Sequence, residues 1–198
     1  MLSYEESLKI LRETNALLEG HFILSSGLHS NQYIQCEQLL SVPKKSEEIC
    51  KSLCEKISSN FKNIDMILSP ALGGIVVGYE VGRQLNIKTI FAERDNGKLV
   101  MRRGFTIPDN SKILIVEDVI TTGKSALECS ELVRKNNSKL IGYACIIDRS
   151  NDGLLIKEQI ISQVKFSIDT YREKDLPEKL KKIPAEKPGS RKTSKWVK

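Results

Sequence analysis

Residues 113–126 read ILIVEDVITTGKSA, and the fold turns on what kind of phosphate loop this is. Gly123-Lys124-Ser125 suggests a nucleoside-triphosphate loop of the form G-x-x-x-x-G-K-[ST], in which consecutive backbone N–H groups wrap a polyphosphate. That pattern needs a glycine at position 118, and this chain carries Asp118. A carboxylate at the mouth of such a loop repels a polyphosphate, so the nucleoside-triphosphate reading fails. What remains is an apolar run, the acidic pair Glu117-Asp118, then Val119-Ile120, and Thr121-Thr122-Gly123-Lys124-Ser125 opening a helical pattern. A buried strand running into a turn and a helix N-terminus offers free amide donors and a favourable dipole to a single phosphate. Carboxylates just ahead of it accept hydrogen bonds from sugar hydroxyls. Together they describe a cradle for a ribose 5-phosphate.

The flanking sequence alternates between two periods. Helical patterns are predicted near 3–18, where Leu8, Leu11, Leu17 and Leu18 recur, and over 44–60, 74–86 and 123–137. Short apolar runs predict strands at 66–69, 88–92, 112–118, 140–147 and 164–168. Strands that are apolar on both faces and alternate with helices predict an α/β fold with a parallel sheet covered on both sides. Ligands of such sheets bind at the carboxyl ends of the strands, where residues 117–125 lie.

Other segments fall at equivalent ends. Pro70-Ala71-Leu72-Gly73-Gly74-Ile75 is either a backbone-lined ligand loop or a plain strand-to-helix turn. The stretch from Glu93 to Phe105 carries Arg94, Lys98, Arg102 and Arg103, and reads as a mobile cationic arm or an exposed hairpin. Arg149, leaving the strand at 140–147, offers a planar fork suited to a carboxylate or a pyrimidine edge, or to a surface ion pair.

At 198 residues the chain is long enough to bury about 70% of its unfolded surface without metal or disulfide support. Cys36, Cys50, Cys54, Cys129 and Cys145 are odd in number and scattered, with no histidine near the Cys50/Cys54 pair. They read as reduced, buried thiols of a cytoplasmic protein rather than a zinc site. No window approaches a membrane span, and the opening MLSYEESLKI is amphipathic and acidic rather than a signal peptide, so a soluble protein is expected.

The net charge of +6 is local: residues 171–198 hold ten Lys and Arg against four Asp and Glu, and the rest of the chain balances at 21 against 21. A tail of that composition, ending EKPGSRKTSKWVK, reads as a solvated or loosely docked extension, less often as a nucleic-acid arm.

The run Val116 to Gly123 resembles the phosphoribosyl pyrophosphate (PRPP) motif of the type I phosphoribosyltransferases: hydrophobic strand, acidic pair, two apolar residues, Thr/Gly phosphate loop. Within that family, Gly20-His21-Phe22-Ile23-Leu24-Ser25-Ser26-Gly27-Leu28-His29-Ser30 and Asp148-Arg149 are similar to the orotate branch. The resemblance implies a type I phosphoribosyltransferase-like sheet with helices on both faces, an N-terminal hood over 1–45, a core over 46–170 and a basic C-terminal extension over 171–198. The implied activity is transfer of the 5-phosphoribosyl group from PRPP to orotate, giving orotidine 5′-monophosphate and pyrophosphate, with Mg²⁺ bound through PRPP rather than by the protein directly.

On that resemblance Glu117 and Asp118 bind the ribose hydroxyls near the developing cation. Val119, Ile120, Thr121, Thr122, Gly123, Lys124 and Ser125 line the PRPP site, with the 5-phosphate on Thr121 to Ser125. Thr121 and Arg149 contact orotate, with Tyr33 and Ile34 close by. Arg94 and Lys98 meet the diphosphate, Lys98 with a catalytic role, and Arg102 and Arg103 stand in reserve. Where many members carry lysine this chain has Ser25 and Gly73, and its cationic arm lacks their histidine. The family also implies a homodimer, and neither nucleic acid nor membrane as a partner. Two other functions share the motif: transfer to another base, against which Arg149 argues, and a PRPP-sensing regulator that has lost catalysis.

Overall fold

The computed structural model describes residues 1–24, 26–150 and 153–188. The chain opens with α1 (Tyr4–Glu13), started by a capping box in which the Ser3 side chain accepts from Glu6 N–H and the Glu6 carboxylate accepts from Ser3 N–H. The helix predicted over 3–18 stops early. The Thr14 hydroxyl donates back to the carbonyls of Ile10 and Leu11, and Asn15 takes φ 57°, a left-handed conformation that asparagine tolerates better than most residues. Leu17 and Leu18 therefore enter a strand instead. Strands β1 (Leu17–Ile23) and β2 (His29–Ile34) pair antiparallel and form a hood that the sequence pattern does not resolve into elements. Then follow α2 (Cys36–Leu40) and α3 (Pro43–Asn60).

The core comprises β3 (Met66–Pro70), α4 (Gly73–Leu85), β4 (Lys88–Asp95), β5 (Lys98–Met101), β6 (Lys112–Ile120), α5 (Lys124–Lys135), β7 (Lys139–Asp148) and β8 (Ile160–Lys165). Its sheet runs β5-β4-β3-β6-β7-β8. All neighbours are parallel except β5, which returns antiparallel from β4 as a hairpin. The segment between 93 and 105 is thus largely a hairpin at the sheet edge.

The pleat sends alternate residues to opposite faces. Ile67, Leu114 and Val116 pack with α3 and α4 residues such as Leu53 and Val77, while Leu68, Ile113 and Ile115 pack with Ala126, Cys129 and Val133 of α5. All five cysteines are buried and free. The last core strand is displaced from the predicted 164–168. Its pairing covers Tyr143↔Ile160 to Asp148↔Lys165, and β7 ends there; Phe166 N–H makes a last bond to Asp148 O at 3.1 Å, and the Phe166 and Ile168 side chains pack against the α3/α4-side core.

The chain then returns to the hood. Strand β9 (Thr170–Tyr171) joins β2, and a short helix, α6 (Glu178–Lys181), follows. Glu186 completes the contact, its N–H donating to His21 O at 2.8 Å and its carbonyl accepting from Ile23 N–H at 2.7 Å. Part of the basic extension is therefore docked on the hood; residues 189–198 lie outside the described residues.

Candidate functional site

Strands β3 and β6 are neighbours from which the sheet is built outward in opposite directions. Such a reversal leaves a crevice beyond the strands' carboxyl ends, the usual ligand position of an open α/β sheet. Here the crevice is deepened because β3 pairs with β6 only as far as Leu68↔Ile115, whereas β6 pairs with β7 to Ile120↔Asp148. The end of β6 thus has one edge free, and the acidic pair lies on it.

The strand predicted to end at residue 118 continues to Ile120, so Glu117 and Asp118 do not converge at a strand terminus. Glu117 lines a small cavity of about 70 Å³ with Val119, Thr121, Thr122, Gly123, Lys124 and Ser125. Asp118 lines a second one of about 280 Å³ with Tyr33, Ile34, Gln35, Cys36, Glu37, Val119 and Arg149. Val119 borders both, and a ligand spanning the two meets both acids.

The small cavity has the donors of an anion site. Gly123 adopts φ 77°, where a side chain is strained, and a Cβ there would come within 2.7 Å of Ile156. With glycine at the N-cap no side chain covers the start of α5. The N–H groups of Thr122, Gly123, Ser125 and Ala126 donate to no acceptor among the described residues, and that of Lys124 reaches only Thr122 Oγ1, at 3.4 Å. Open amides at a helix N-terminus carry partial positive charge.

Burial raises the carboxyl of Glu117 to about 8; the Asp118 carboxylate adds to this and the Arg94 guanidinium opposes it. Asp118 is raised by burial too, against backbone N–H donation from Val119. Asp118 lies directly on the first turn of α4, and a Cβ on Gly73 would overlap its carboxylate. Glycine at 73, where many family members carry lysine, gives this acid its room. Ser25, the other such position, lies outside the described residues.

Arg149 closes the larger cavity. Its N–H donates to Ile120 O at 2.8 Å, which fixes the backbone, but its side chain makes no hydrogen bond or ion pair with a described residue and its Nε is buried without a partner. Burial pulls this guanidinium below its ordinary range. The adjacent Asp148 does not neutralise it, because that carboxylate accepts from Ser150 N–H at 2.8 Å and pairs with Lys165 at 3.3 Å. A half-buried cation left this way is costly unless an anion arrives.

The hairpin cations separate into distinct environments. Arg94 donates to Ser125 Oγ at 3.3 Å and pairs with Glu128 at 3.1 Å, beside the phosphate loop. Arg103 is engaged by Glu93 through two bonds of 2.7 and 2.8 Å. Lys98 and Arg102 are exposed, and their side chains make no hydrogen bond or ion pair within the described residues. Thr121 lines the small cavity rather than the one holding Arg149.

Gln35, Glu37 and Glu128 were not singled out by sequence, and Cys36 was read only as a buried thiol. Gln35, Cys36 and Glu37 directly follow Tyr33-Ile34, and Glu128 shares a helical face with Ser125 three residues earlier, a spacing that was available as a signal. Among the described residues no cluster of three or more His, Cys, Asp or Glu side chains is placed to hold a metal ion.

Comparison with known proteins identifies the family and the fold. The profile of the phosphoribosyl transferase domain matches residues 37–174. Orotate phosphoribosyltransferase of Chlorobium phaeobacteroides (strain BS1) is 47% identical over 182 residues, covering 92% of this chain and 93% of that protein. Orotate phosphoribosyltransferase of Methylorubrum extorquens (strain PA1) is 46% identical over 188 residues, covering 94% and 96%. The crystal structure of orotate phosphoribosyltransferase from Aeropyrum pernix superposes with a TM-score of 0.70 at 22% identity, over 80% of this chain and 92% of that one, and so shares the fold.

Proposed function

The chain belongs to the orotate phosphoribosyltransferase family, and on that premise we propose that it transfers the 5-phosphoribosyl group of PRPP to a ring nitrogen of orotate, a step of pyrimidine biosynthesis. The observation that carries the choice of base is Arg149, a half-buried guanidinium with no anionic partner among the described residues, facing a cavity beside the acidic pair. Orotate brings a carboxylate to it, whereas a neutral purine leaves it unpaired.

In the reaction the bond from ribose C1′ to the diphosphate oxygen breaks as the orotate nitrogen bonds to C1′. Positive charge develops on the ribose and negative charge on the leaving diphosphate. Catalysis of such a step is mainly positioning and charge stabilisation. The open amides from Thr122 to Ala126, with the Thr121 to Ser125 side chains, hold the 5-phosphate. Glu117 and Asp118 accept from the ribose hydroxyls and face the developing cation, Asp118 from the base side and Glu117 from the phosphate side. Lys98 and Arg94 on the hairpin meet the leaving diphosphate, Lys98 with a catalytic role; the hydrogen bond from Arg94 to Ser125 also favours a place for its guanidinium beside the 5-phosphate; Thr121 and Arg149 meet orotate.

The residues fit Mg²⁺ that arrives with PRPP: Glu117 and Asp118 are adjacent, half-buried acids whose carboxyls burial raises above their ordinary values, and a cation beside them would favour their charged form. When bound, the ion offsets charge on the leaving diphosphate. We place the enzyme in the cytoplasm as a homodimer. Support for a second copy comes from Leu72, at the N-cap of α4, and from Val76 and Tyr79 one and two turns on, which are 82%, 47% and 66% exposed, an apolar stripe of a kind that marks interfaces.

The direct test follows orotate absorbance with purified protein and Mg²⁺, with and without PRPP. Loss only when PRPP is present supports the assignment. Turnover of adenine or hypoxanthine in place of orotate would assign another base, and PRPP binding without turnover of any base would point to a sensor.

A further inference from the structure

Glu128 stands one turn along α5 from the phosphate loop, on the same helical face as Ser125. Both of its carboxylate oxygens accept from Arg94 Nη1, at 3.3 and 3.1 Å, and Oε2 also accepts the backbone N–H of Leu99 on β5 at 3.1 Å. Arg94 in turn donates from Nη1 to Gly97 O at 2.7 Å and from Nη2 to Ser125 Oγ at 3.3 Å. One carboxylate thereby fastens three things together: the helix that presents the open amides, the edge hairpin, and the hairpin's guanidinium. The Glu128 side chain is 20% exposed and that of Arg94 41%, so solvent screens the pair in part and its value lies in holding the guanidinium in place more than in the strength of the pair.

An arginine on an edge hairpin has several rotatable bonds, and holding it at one place costs side-chain entropy. Glu128 meets that cost in the folded protein before any ligand arrives. We infer that Glu128 is a positioning residue for the phosphate pocket, holding the Arg94 guanidinium against Ser125 so that the hairpin carries a cation to the mouth of the open amides. The ligand it serves is a phosphate monoester dianion. The inference rests on the proposed function for the identity of that ester as the 5-phosphate of PRPP, but its geometry does not involve the base pocket.

The test uses Glu128→Gln, which keeps the side-chain volume and an oxygen for Leu99 N–H while removing the charge that clamps Arg94. Calorimetric titration of the full chain with inorganic phosphate should show affinity falling about fivefold, with a matching rise in KM for PRPP and with kcat and KM for orotate changed less than twofold. Arg94→Met should weaken phosphate binding to a similar degree, and Arg94→Met/Glu128→Gln should lose no more than Arg94→Met alone, because the two residues act through one contact. Arg94→Lys should not recover wild-type affinity, since an ammonium cannot bridge Glu128 and Ser125 as the planar fork does. Additive losses in the double variant, or unchanged phosphate affinity in Arg94→Met, would overturn the assignment, and the second result stands even if Glu128→Gln fails to fold. If phosphate binding responds as expected but the wild-type protein ignores orotate, the proposed base is wrong and the role of Glu128 survives.

Discussion

The two cavities that share Val119 are built in opposite ways. The small one is contributed entirely by residues 117–125, a single strand, turn and helix start. The larger one takes residues 33–37 from the hood, 118–119 from β6 and Arg149 from the loop after β7. A pocket made by one continuous segment needs only its own backbone geometry, whereas one made by three distant segments needs the whole fold in register. It follows that the phosphate pocket should be robust to change elsewhere and the base pocket should be the easier of the two to disable.

The sharpest separation is expected from Arg149→Ala. Removing a charge-assisted partner costs roughly 1.5–3 kcal/mol, so KM for orotate should rise by about ten- to a hundredfold while KM for PRPP moves little. Initial-rate kinetics with each substrate varied check this, and equal effects on both would erase the division between cavities.

Asp118→Asn comes next, because this acid lines the larger cavity next to Val119, which borders both. It should cut kcat at least about tenfold, or about 1.4 kcal/mol of barrier, with circular dichroism and thermal unfolding unchanged. A wild-type rate would mean that the ribose lies elsewhere.

Gly123→Ala perturbs the small cavity alone. The left-handed backbone and the approach of Ile156 make a side chain there cost on the order of 1–2 kcal/mol, and the displaced amides should raise KM for PRPP severalfold with KM for orotate held. A parallel rise in both constants would show that the phosphate segment is not self-contained.

The last test is a pH slope in stability rather than a change in activity. Folded Glu117 keeps its proton to about pH 8, against an ordinary value of 4.5. The folded state therefore binds more protons than the unfolded state between those values, and stability falls as pH rises across that window. Glu117→Gln should flatten the slope, raising Tm relative to wild type more at pH 8.5 than at pH 5. An equal shift at both pH values would mean the carboxyl is not raised in the fold.

The same contrast explains what was legible in the sequence. The phosphate segment announces itself because every part of it is local: Asp118 where a P-loop needs glycine, the acidic pair, and Gly123 ahead of a helical pattern. The core strands and helices were readable for a related reason, since buried parallel strands are uniformly apolar. The hood was not. His29 to Ile34 carries neither a clean alternation nor an apolar run, and its strand character comes from pairing with β1 and with Thr170–Tyr171, some 140 residues away. Leu17 and Leu18 fit a helical stripe equally well until Asn15 breaks it. The base pocket inherits that difficulty: Arg149 was picked out from its strand end and from Asp148-Arg149, but its lack of an anionic partner among the described residues depends on Lys165 and Ser150 occupying Asp148. Glu128 stayed hidden because its significance lies in where the hairpin folds back.

The most direct measurement is a crystal structure of the protein soaked with PRPP and Mg²⁺. The 5-phosphate is expected within hydrogen-bonding distance of the amides between Thr122 and Ala126, and the ribose hydroxyls on Glu117 and Asp118. A sugar bound away from that acidic pair, or a phosphate loop left facing solvent with PRPP in place, would contradict that placement.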